Sequence, residues 1–248
     1  MSGHSKWSTI KRKKGAADAQ RGAIFTKLSR EIIIAAKQGA DAGANFKLRL
    51  AVQRAKAQNM PNDNIERAIA KGAGQGEGEQ LDEITYEGYG PGGIAILVAT
   101  LTDNRNRTVA EVRHRFSRSG GNLGETGSVG WQFEAKGIIT IPVKNADPDD
   151  VALQAIDAGA DDVSVDDGVL EVQTEPVKLE AVRKTLESAG FEIENADFAM
   201  VPKILIELDE KTAHQAMRLL EGLEDLEDTQ RVYSNADFSD EAISSYQG

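Results

Sequence analysis

Apolar residues near the amino terminus recur at helical spacing. Phe25, Leu28 and Ile32 stand three or four positions apart and therefore share one face of a helix. The segment 45–58 carries apolar stripes on two opposite faces, which is typical of a helix packed between two neighbours. These stripes contain Leu48, Ala51, Val52 and Ala55 on one face, and Phe46, Leu50 and Ala57 on the other. A further helix is predicted after Pro61, so the pattern predicts a small three-helix domain.

A glycine-rich segment follows the predicted helices. Residues 72–80 read GAGQGEGEQ, with glycine at every second position from 72 to 78. Glycine loses more backbone freedom than any other residue when a helix forms, so this segment cannot sustain one. The segment predicts a flexible linker and a domain boundary.

Strand and helix patterns alternate after residue 80. Within 136–202 they read β-α-β-β-α-β, which is the order of a ferredoxin-like sandwich. Asp166–Gly168 predicts a tight hairpin turn between the two central strands.

The segments on either side of 136–202 each supply half of such a unit. A strand over 93–102, a helix over 104–119 and a strand over 128–133 precede it, and a strand, helix and strand follow residue 202. The sequence therefore predicts an α+β fold, in which an N-terminal three-helix domain precedes two ferredoxin-like α/β domains, the third inserted into the second. The predicted boundaries are 1–80 for the basic helical domain with its linker, 81–135 with 203–240 for the split domain, and 136–202 for the inserted domain.

Charge is divided unevenly along the chain. The formal net charge of −11 taken alone argues against a nucleic-acid-binding protein. Residues 1–71, however, hold 15 Lys and Arg against 5 Asp and Glu, a net charge of +10, and the remaining residues carry −21. This asymmetry predicts a basic module that binds polyanions. A solvated lysine-rich helical surface is the alternative interpretation.

Residue types that carry catalysis are sparse. The chain has no cysteine, and its three histidines fall in different segments without a catalytic or metal-binding spacing. We therefore predict no enzymatic activity, no cofactor, no metal and no small-molecule substrate. No apolar run approaches the roughly 18 residues of a membrane span, and no secretory or transit pattern opens the chain, so we expect a cytoplasmic protein without a membrane partner.

Three loop segments allow two interpretations each. The glycine-rich stretches 86–93 and 119–128 could let a ligand approach the backbone closely, or could be turns between sheet elements. The segment Thr102–Thr108 lies where a strand meets a helix, and its Arg105 and Arg107 could contact phosphate. Capping of the helix by Asp103, Asn104 or Thr108 is the alternative.

Several of these segments together resemble the YebC/PmpR family. The motifs that carry the resemblance are Gly3–Trp7, Arg30–Lys37, Asn59–Ile69, Tyr86–Gly93, Thr102–Thr108 and Gly127–Phe133. The resemblance implies a helical N-terminal domain, two α/β domains and a non-enzymatic bacterial regulator of gene expression. Members of the family are described as DNA-binding transcriptional regulators. Others act at the ribosome, where they ease the synthesis of proline-rich sequences, and mitochondrial relatives activate translation of cytochrome oxidase.

The candidate nucleic-acid-binding residues lie mostly in the basic segment. An arm without apolar periodicity carries five basic residues and Trp7, which could stack on an unpaired base or pack on the helices. Asn64 and Arg67 are one helical turn apart and are of types that read base edges. The full predicted set is Lys6, Trp7, Lys11, Arg12, Lys13, Lys14, Arg21, Lys27, Arg30, Lys37, Asn64, Arg67, Arg105 and Arg107.

Two functions follow from these residues and from the resemblance. The first is a DNA-binding transcriptional regulator that acts through its basic N-terminal helical domain. The alternative is a ribosome-associated translation factor that binds rRNA, because a body of net charge −21 is repelled by a long duplex. The expected partner is DNA in the first case, and rRNA together with the ribosome in the second.

Overall fold

The computed structural model describes residues 20–74, 80–143, 147–166 and 168–246. Its first part contains three helices, α1 (Gln20–Ala36), α2 (Phe46–Ala57) and α3 (Asn62–Gly72). The side chain of Asn45 caps α2 by accepting a hydrogen bond from the Leu48 N–H at 3.1 Å. In the described ranges, no helix is both long and apolar enough to cross a membrane.

Helix α2 packs on both of the faces that its sequence marks as apolar, and of the residues in these stripes only Ala57 at its carboxyl end is exposed. Leu48, Ala51 and Ala55 join the core that α2 forms with α1 and α3. Leu50, on the other side, belongs to the core of the inserted α/β domain. Phe46 also contacts that domain, with its ring edge-to-face against Phe198 at 6.1 Å between centroids. The prediction of a sandwiched helix is confirmed.

Ten strands and five further helices follow in the described residues after position 80. In chain order they are β1 (Asp82–Tyr89), β2 (Ala95–Thr102), α4 (Arg105–Arg118), β3 (Asn122–Leu123), β4 (Phe133–Pro142), α5 (Pro148–Asp157), β5 (Asp162–Asp166), β6 (Val169–Thr174), α6 (Leu179–Ser188), β7 (Asn195–Pro202), β8 (Ile206–Glu207), α7 (Glu210–Glu224), β9 (Thr229–Ser234), β10 (Ala236–Asp237) and α8 (Asp240–Ser245). Single 3₁₀ turns occupy Pro91–Gly93, Gly130–Gln132 and Pro176–Lys178.

The inserted domain has the ferredoxin-like arrangement. Its sheet order is β5-β6-β4-β7 with every neighbouring pair antiparallel, and α5 and α6 bury their apolar faces against it. The hairpin between β5 and β6 includes Gly168, whose φ of +76° lies in the left-handed region that glycine adopts without strain.

The split domain is assembled from both sides of the insertion. Its sheet order is β3-β1-β2-β9, and β2 pairs with β9 across more than a hundred residues of chain. Helices α4 and α7 cover one face, and β4 and β7 of the inserted domain supply apolar residues to the other. The predicted α+β fold class is confirmed, and we propose the predicted boundaries 81–135 with 203–240 and 136–202 as the domain limits.

Two details of the split domain differ from the sequence expectation. The sequence predicts a strand over residues 128–133, but 128–132 form a turn and the strand β4 begins only at Phe133. The stretch 86–93 is not wholly a loop, because its first half completes β1. Glycine hides this strand in the sequence, yet a Cβ at Gly88 would lie 2.7 Å from both the Asn122 carbonyl oxygen and the Phe116 ring, so the close packing here requires glycine.

A closed ring of four ion pairs joins the three domains. Arg54 Nη1 lies 2.7 Å from Glu31 Oε1, and its Nη2 lies 3.0 Å from Asp197 Oδ1. Arg231 closes the ring, with its Nη2 3.2 Å from Glu31 Oε1 and 3.0 Å from Asp197 Oδ2. Burial raises the pKa of Asp197 to about 6, since the loss of hydration outweighs the attraction of Arg54 and Glu31 adds repulsion.

We expect Leu50→Ala to lower the free energy of unfolding by about 2–5 kcal/mol, because it removes a buried side chain from the contact between α2 and the inserted domain. Chemical denaturation followed by circular dichroism measures the loss. Gln53→Ala, an exposed position on the same helix, is the matched control and should change stability by about 0.5 kcal/mol or less. Equal effects of the two substitutions would contradict the packing described for Leu50.

Candidate nucleic-acid interface

A cleft of about 350 Å³ lies between α1, α3 and the turn that precedes β9. Its polar lining residues are Thr26, Ser29, Arg30, Asn64, Arg67, Lys71 and Glu227. The cleft therefore brings together hydroxyl, amide and cationic groups, which are the side-chain types that contact phosphates and base edges.

Helix α3 directs one polar row into this cleft. Ile65 and Ala68 are buried in the helical core, which fixes the rotation of α3 and turns Asn64, Arg67 and Lys71 outward. Arg67 Nη2 donates to Asn64 Oδ1 at 2.5 Å and its Nε donates to a backbone carbonyl of the same helix. Within the described part of the chain, neither Arg67 nor Lys71 forms an ion pair with a carboxylate. Their positive charge is therefore available to an anion.

Sequence reasoning missed the contribution of α1 to this cleft. Thr26 and Ser29 line it, and both are small hydroxyl residues that carry no charge or aromatic signal in the sequence. Only the packing of α1 against α3 shows that they face the same space as Asn64.

Two candidate residues of α1, one of which also lines the cleft, form hydrogen bonds to the split domain. Arg30 is buried, and its guanidinium donates to Asp228 Oδ1 at 2.7 Å and to Glu227 Oε1 at 3.0 Å. Lys27 Nζ donates to the Glu224 carbonyl oxygen at 2.5 Å. Arg30 is thus held by Glu227 and Asp228, and its contact with nucleic acid stays a prediction.

The remaining basic candidates of the helical domain are either exposed or outside the described residues. Lys37 is exposed, with its Nζ 3.4 Å from the Leu81 carbonyl oxygen. The side chain of Arg21 lies outside the described residues, as do Lys6, Trp7, Lys11, Arg12, Lys13 and Lys14 of the amino-terminal arm. Their part in nucleic-acid binding stays a prediction.

The carboxylate of Asp228 is fully buried and organises the segment Thr102–Thr108. The hydroxyl groups of Thr102 and Thr108 donate to its Oδ2 at 3.1 and 2.6 Å, and Arg107 donates to both of its oxygens at 2.9–3.0 Å. Burial by itself raises the pKa of Asp228, but the surrounding hydroxyl and guanidinium donors outweigh it and hold the pKa below its usual value.

The segment Thr102–Thr108 is therefore a structural junction. Asn104 caps α4 by accepting the Arg107 N–H at 3.1 Å, which supports the helix-capping interpretation. Asp103 and Asp228 both pair with the Arg107 guanidinium, and a contact of Arg107 with phosphate stays a prediction. Arg105 is more exposed and pairs with Asp82 at 2.7 Å, which lowers the pKa of that carboxyl.

The glycine-rich stretches 86–93 and 119–128 meet at Glu87. Its Oε1 accepts the Gly127 N–H at 2.8 Å, and its Oε2 accepts those of Val129 and Gly130 at 2.8 and 2.7 Å. Desolvation alone raises the pKa of Glu87, but these three backbone donors hold it below its usual value. The carboxylate of β1 thus fixes the turn that leads into β4, which supports the interpretation of both stretches as turns.

Comparison with known proteins gives two family matches that together cover most of the chain. Residues 5–75 match the family described as the TACO1/YebC protein N-terminal domain. Residues 81–236 match the one described as the TACO1/YebC second and third domain. The break between the two matches coincides with the glycine-rich linker.

Individual relatives are similar along nearly their whole length. A probable transcriptional regulatory protein of Dehalococcoides mccartyi is 55% identical over 247 residues, which cover 99% of this chain and 98% of that protein. One of the same description from Chloroflexus aurantiacus is 54% identical over 250 residues, with 99% of both chains covered. The crystal structure of a conserved hypothetical protein, Aq1575 of Aquifex aeolicus, has a TM-score of 0.83 at 46% identity and covers 90% of this chain and 93% of that one.

We expect Asp228→Asn to lower the free energy of unfolding by about 3–5 kcal/mol at neutral pH, because it leaves buried cationic groups without their counter-charge. Asp103→Asn removes only the exposed partner of Arg107 and, as the matched control, should cost about 0–1 kcal/mol. Since the folded pKa of Asp228 is lowered, its contribution is present above the usual pKa of 3.8 and is lost as the pH falls through the folded value. The two variants should therefore converge with wild type in acid unfolding, and a persistent gap would contradict this assignment.

We expect Glu87→Gln to cost about 1.5–3 kcal/mol of unfolding free energy, because an amide presents one acceptor oxygen where the backbone N–H groups need two. Hydrogen exchange of the Gly127, Val129 and Gly130 amides should accelerate at the same time. Glu83→Gln, at an exposed position of the same strand, is the control and should leave both measurements unchanged. Unaltered exchange in the Glu87 variant would show that the carboxylate does not hold the turn.

Proposed function

Because the chain belongs to the TACO1/YebC family, we propose that it is a non-enzymatic, nucleic-acid-binding regulator of gene expression. Its relatives named probable transcriptional regulatory proteins support a regulatory role. We assign the more specific function of a DNA-binding transcriptional regulator that contacts its target through the basic N-terminal helical domain.

The cleft between α1 and α3 is the observation that carries this proposal. Most guanidinium groups of the helical domain that the structure describes are paired with carboxylates, as in Arg30, Arg49 and Arg54. Arg67 and Lys71 are exposed in the cleft without such a partner. Beside them, Asn64 offers an amide that can pair with adenine, and arginine is the usual partner of guanine.

The basic arm supplies the second part of the proposed interface. Residues Lys11–Lys14 are four consecutive cations in a stretch with no apolar periodicity, so folding gives little reason for them. Contacts of this kind bind phosphate without reading sequence and make the affinity depend on salt. We propose that the arm anchors the phosphate backbone while the cleft contributes base selectivity.

A ribosome-associated translation factor is the second candidate. The observation that favours it is the net charge of −21 on residues 72–248, which repels a long duplex. Structured RNA offers unpaired bases on which Trp7 could stack. The basic domain would then contact rRNA, and the acidic body would face away from it.

We expect Asn64→Ala with Arg67→Ala to reduce discrimination between a target promoter and random duplex by about 1–3 kcal/mol per lost bidentate contact, if the cleft reads DNA. Replacement of Lys11, Arg12, Lys13 and Lys14 by alanine should weaken binding to both duplexes alike. Lys47→Ala with Lys56→Ala, exposed on α2, is the charge control for the helical domain. Gel shift over a salt series measures all four proteins.

Co-sedimentation with ribosomes at near-physiological salt separates the two candidates. The transcriptional assignment would be rejected by two results together. Of the variants, only the arm variant would be lost from the ribosomal fraction, and wild type would not discriminate between promoter and random duplex. The translational assignment would be rejected if wild type discriminates between promoter and random duplex, the cleft variant does not, and wild type does not associate with ribosomes.

A further inference from the structure

Helix α4 presents an acid-free outer face in the acidic part of the chain. Its exposed positions are Arg105, Asn106, Arg107, Ala110, Arg113, His114, Ser117 and Arg118. The helix has one acidic residue, Glu111, which is half-buried. Because residues 72–248 carry 35 acidic against 14 basic residues, a full helix face without a carboxylate is a strong local departure from the surrounding charge.

The basic residues at the two ends of this face differ in whether they form ion pairs. Arg105 and Arg107 at the amino-terminal end are paired with Asp82, Asp103 and Asp228. Arg113 and Arg118, by contrast, form no ion pair with any acid in the described ranges, and neither does His114 between them. Two guanidinium groups therefore stand free on the carboxyl-terminal half of α4.

The fold itself does not require this arrangement. Val112 and Phe116 supply the buried contacts of this part of α4, so the opposite face could carry either sign of charge. A cation in the last helical turn complements the helix dipole, which accounts for Arg118 but not for Arg113, which lies before that turn. Arg115 extends the basic strip sideways, since its side chain packs over Gly222 of α7.

The amino-terminal end of α4 is linked to the cleft of the helical domain through the buried Asp228. Asp228 accepts from Arg30, which lines the cleft, and from Arg107, which begins the α4 face. From there to Arg118 the helix runs eleven residues, about 16 Å, which equals about five base pairs of duplex rise. Two exposed or partly exposed acids, Glu227 and Asp103, mark the junction and are paired with these arginines.

We propose that the outer face of α4, through Arg113 and Arg118, is a second phosphate-contacting surface for the nucleic acid that the helical domain binds. This inference rests on the proposed function and extends the contact into the acidic body. Charge complementarity favours a polyphosphate backbone, because guanidinium groups bind phosphate in a bidentate manner and no aromatic or apolar anchor accompanies them on this face.

The test uses the full-length protein with Arg113→Gln and Arg118→Gln combined. Fluorescence anisotropy over a salt series measures binding to labelled probes of about 30 units, one a DNA duplex and the other a single-stranded RNA. Loss of two phosphate contacts should reduce the slope of log K against log salt by about 1.8 for the duplex or about 1.4 for the RNA. Affinity near 0.1 M salt should fall about tenfold or more.

Two further variants separate a local contact from net charge. Lys178→Gln with Lys184→Gln removes the same charge from exposed side chains of the inserted domain, and should leave the slope unchanged. Arg113→Lys with Arg118→Lys keeps the charge and should keep most of the slope, and equal melting temperatures exclude an effect on folding.

The outcomes distinguish this inference from the proposed function. If wild type binds a probe and the α4 variant binds it equally well, the second surface is overturned and the proposed function stands. The same holds if the lysine control loses as much binding as the α4 variant. Absence of binding by wild type to both probes would overturn the proposed function and this surface together.

Discussion

A closed ring of charges holds the three domains in one arrangement. Glu31 and Arg54 belong to the helical domain, Asp197 to the inserted sheet and Arg231 to the split sheet. A partly buried charge loses hydration energy unless an opposite charge replaces the water, so only arrangements that bring all four together are favourable. The buried carboxylate of Asp228 imposes the same condition again, because one of its partners comes from α1. Apolar packing of α2 between two cores supplies the surface that these ion pairs surround.

Internal pairing decides which basic residues can meet a nucleic acid. The net charge of +10 on residues 1–71 overstates what is available, because Arg30, Arg49 and Arg54 are neutralised inside the molecule. In the described helices, Arg67 and Lys71 are left unpaired in the cleft, Lys47 and Lys56 are left exposed on α2, and in the body Arg113 and Arg118 are left unpaired on the outer half of α4. Ion pairing within the protein thus limits the unpaired positive charge to a few surfaces.

The glycine-rich loops show that a motif can suggest a ligand site when the residue that binds it lies far away in the sequence. Glu87 receives three backbone N–H groups from a turn about forty residues later in the chain. Glycine suits this turn because the φ of Gly127 is +88°, in the left-handed region, and a Cβ at Gly130 would lie only 3.3 Å from the carboxylate oxygens. The same glycine spacing would suit a phosphate ligand, and only the position of the carboxylate shows that the site is filled from within the protein.

The sequence by itself determined the local elements and their order. The two stripes of α2, the ferredoxin-like succession after residue 136 and the split of the second domain follow from periodicity, because each depends on neighbours a few positions away. Strand β1 is not predicted from the sequence, because Gly88 interrupts its pattern and further glycines follow it directly. Only the tertiary structure decided which charged side chains are paired and which are exposed. The acid that neutralises Arg30 is 198 residues away, whereas the guanidinium of Arg67 stays exposed. Local spacing carries no information about such a partner, because long-range pairing depends on how whole domains pack.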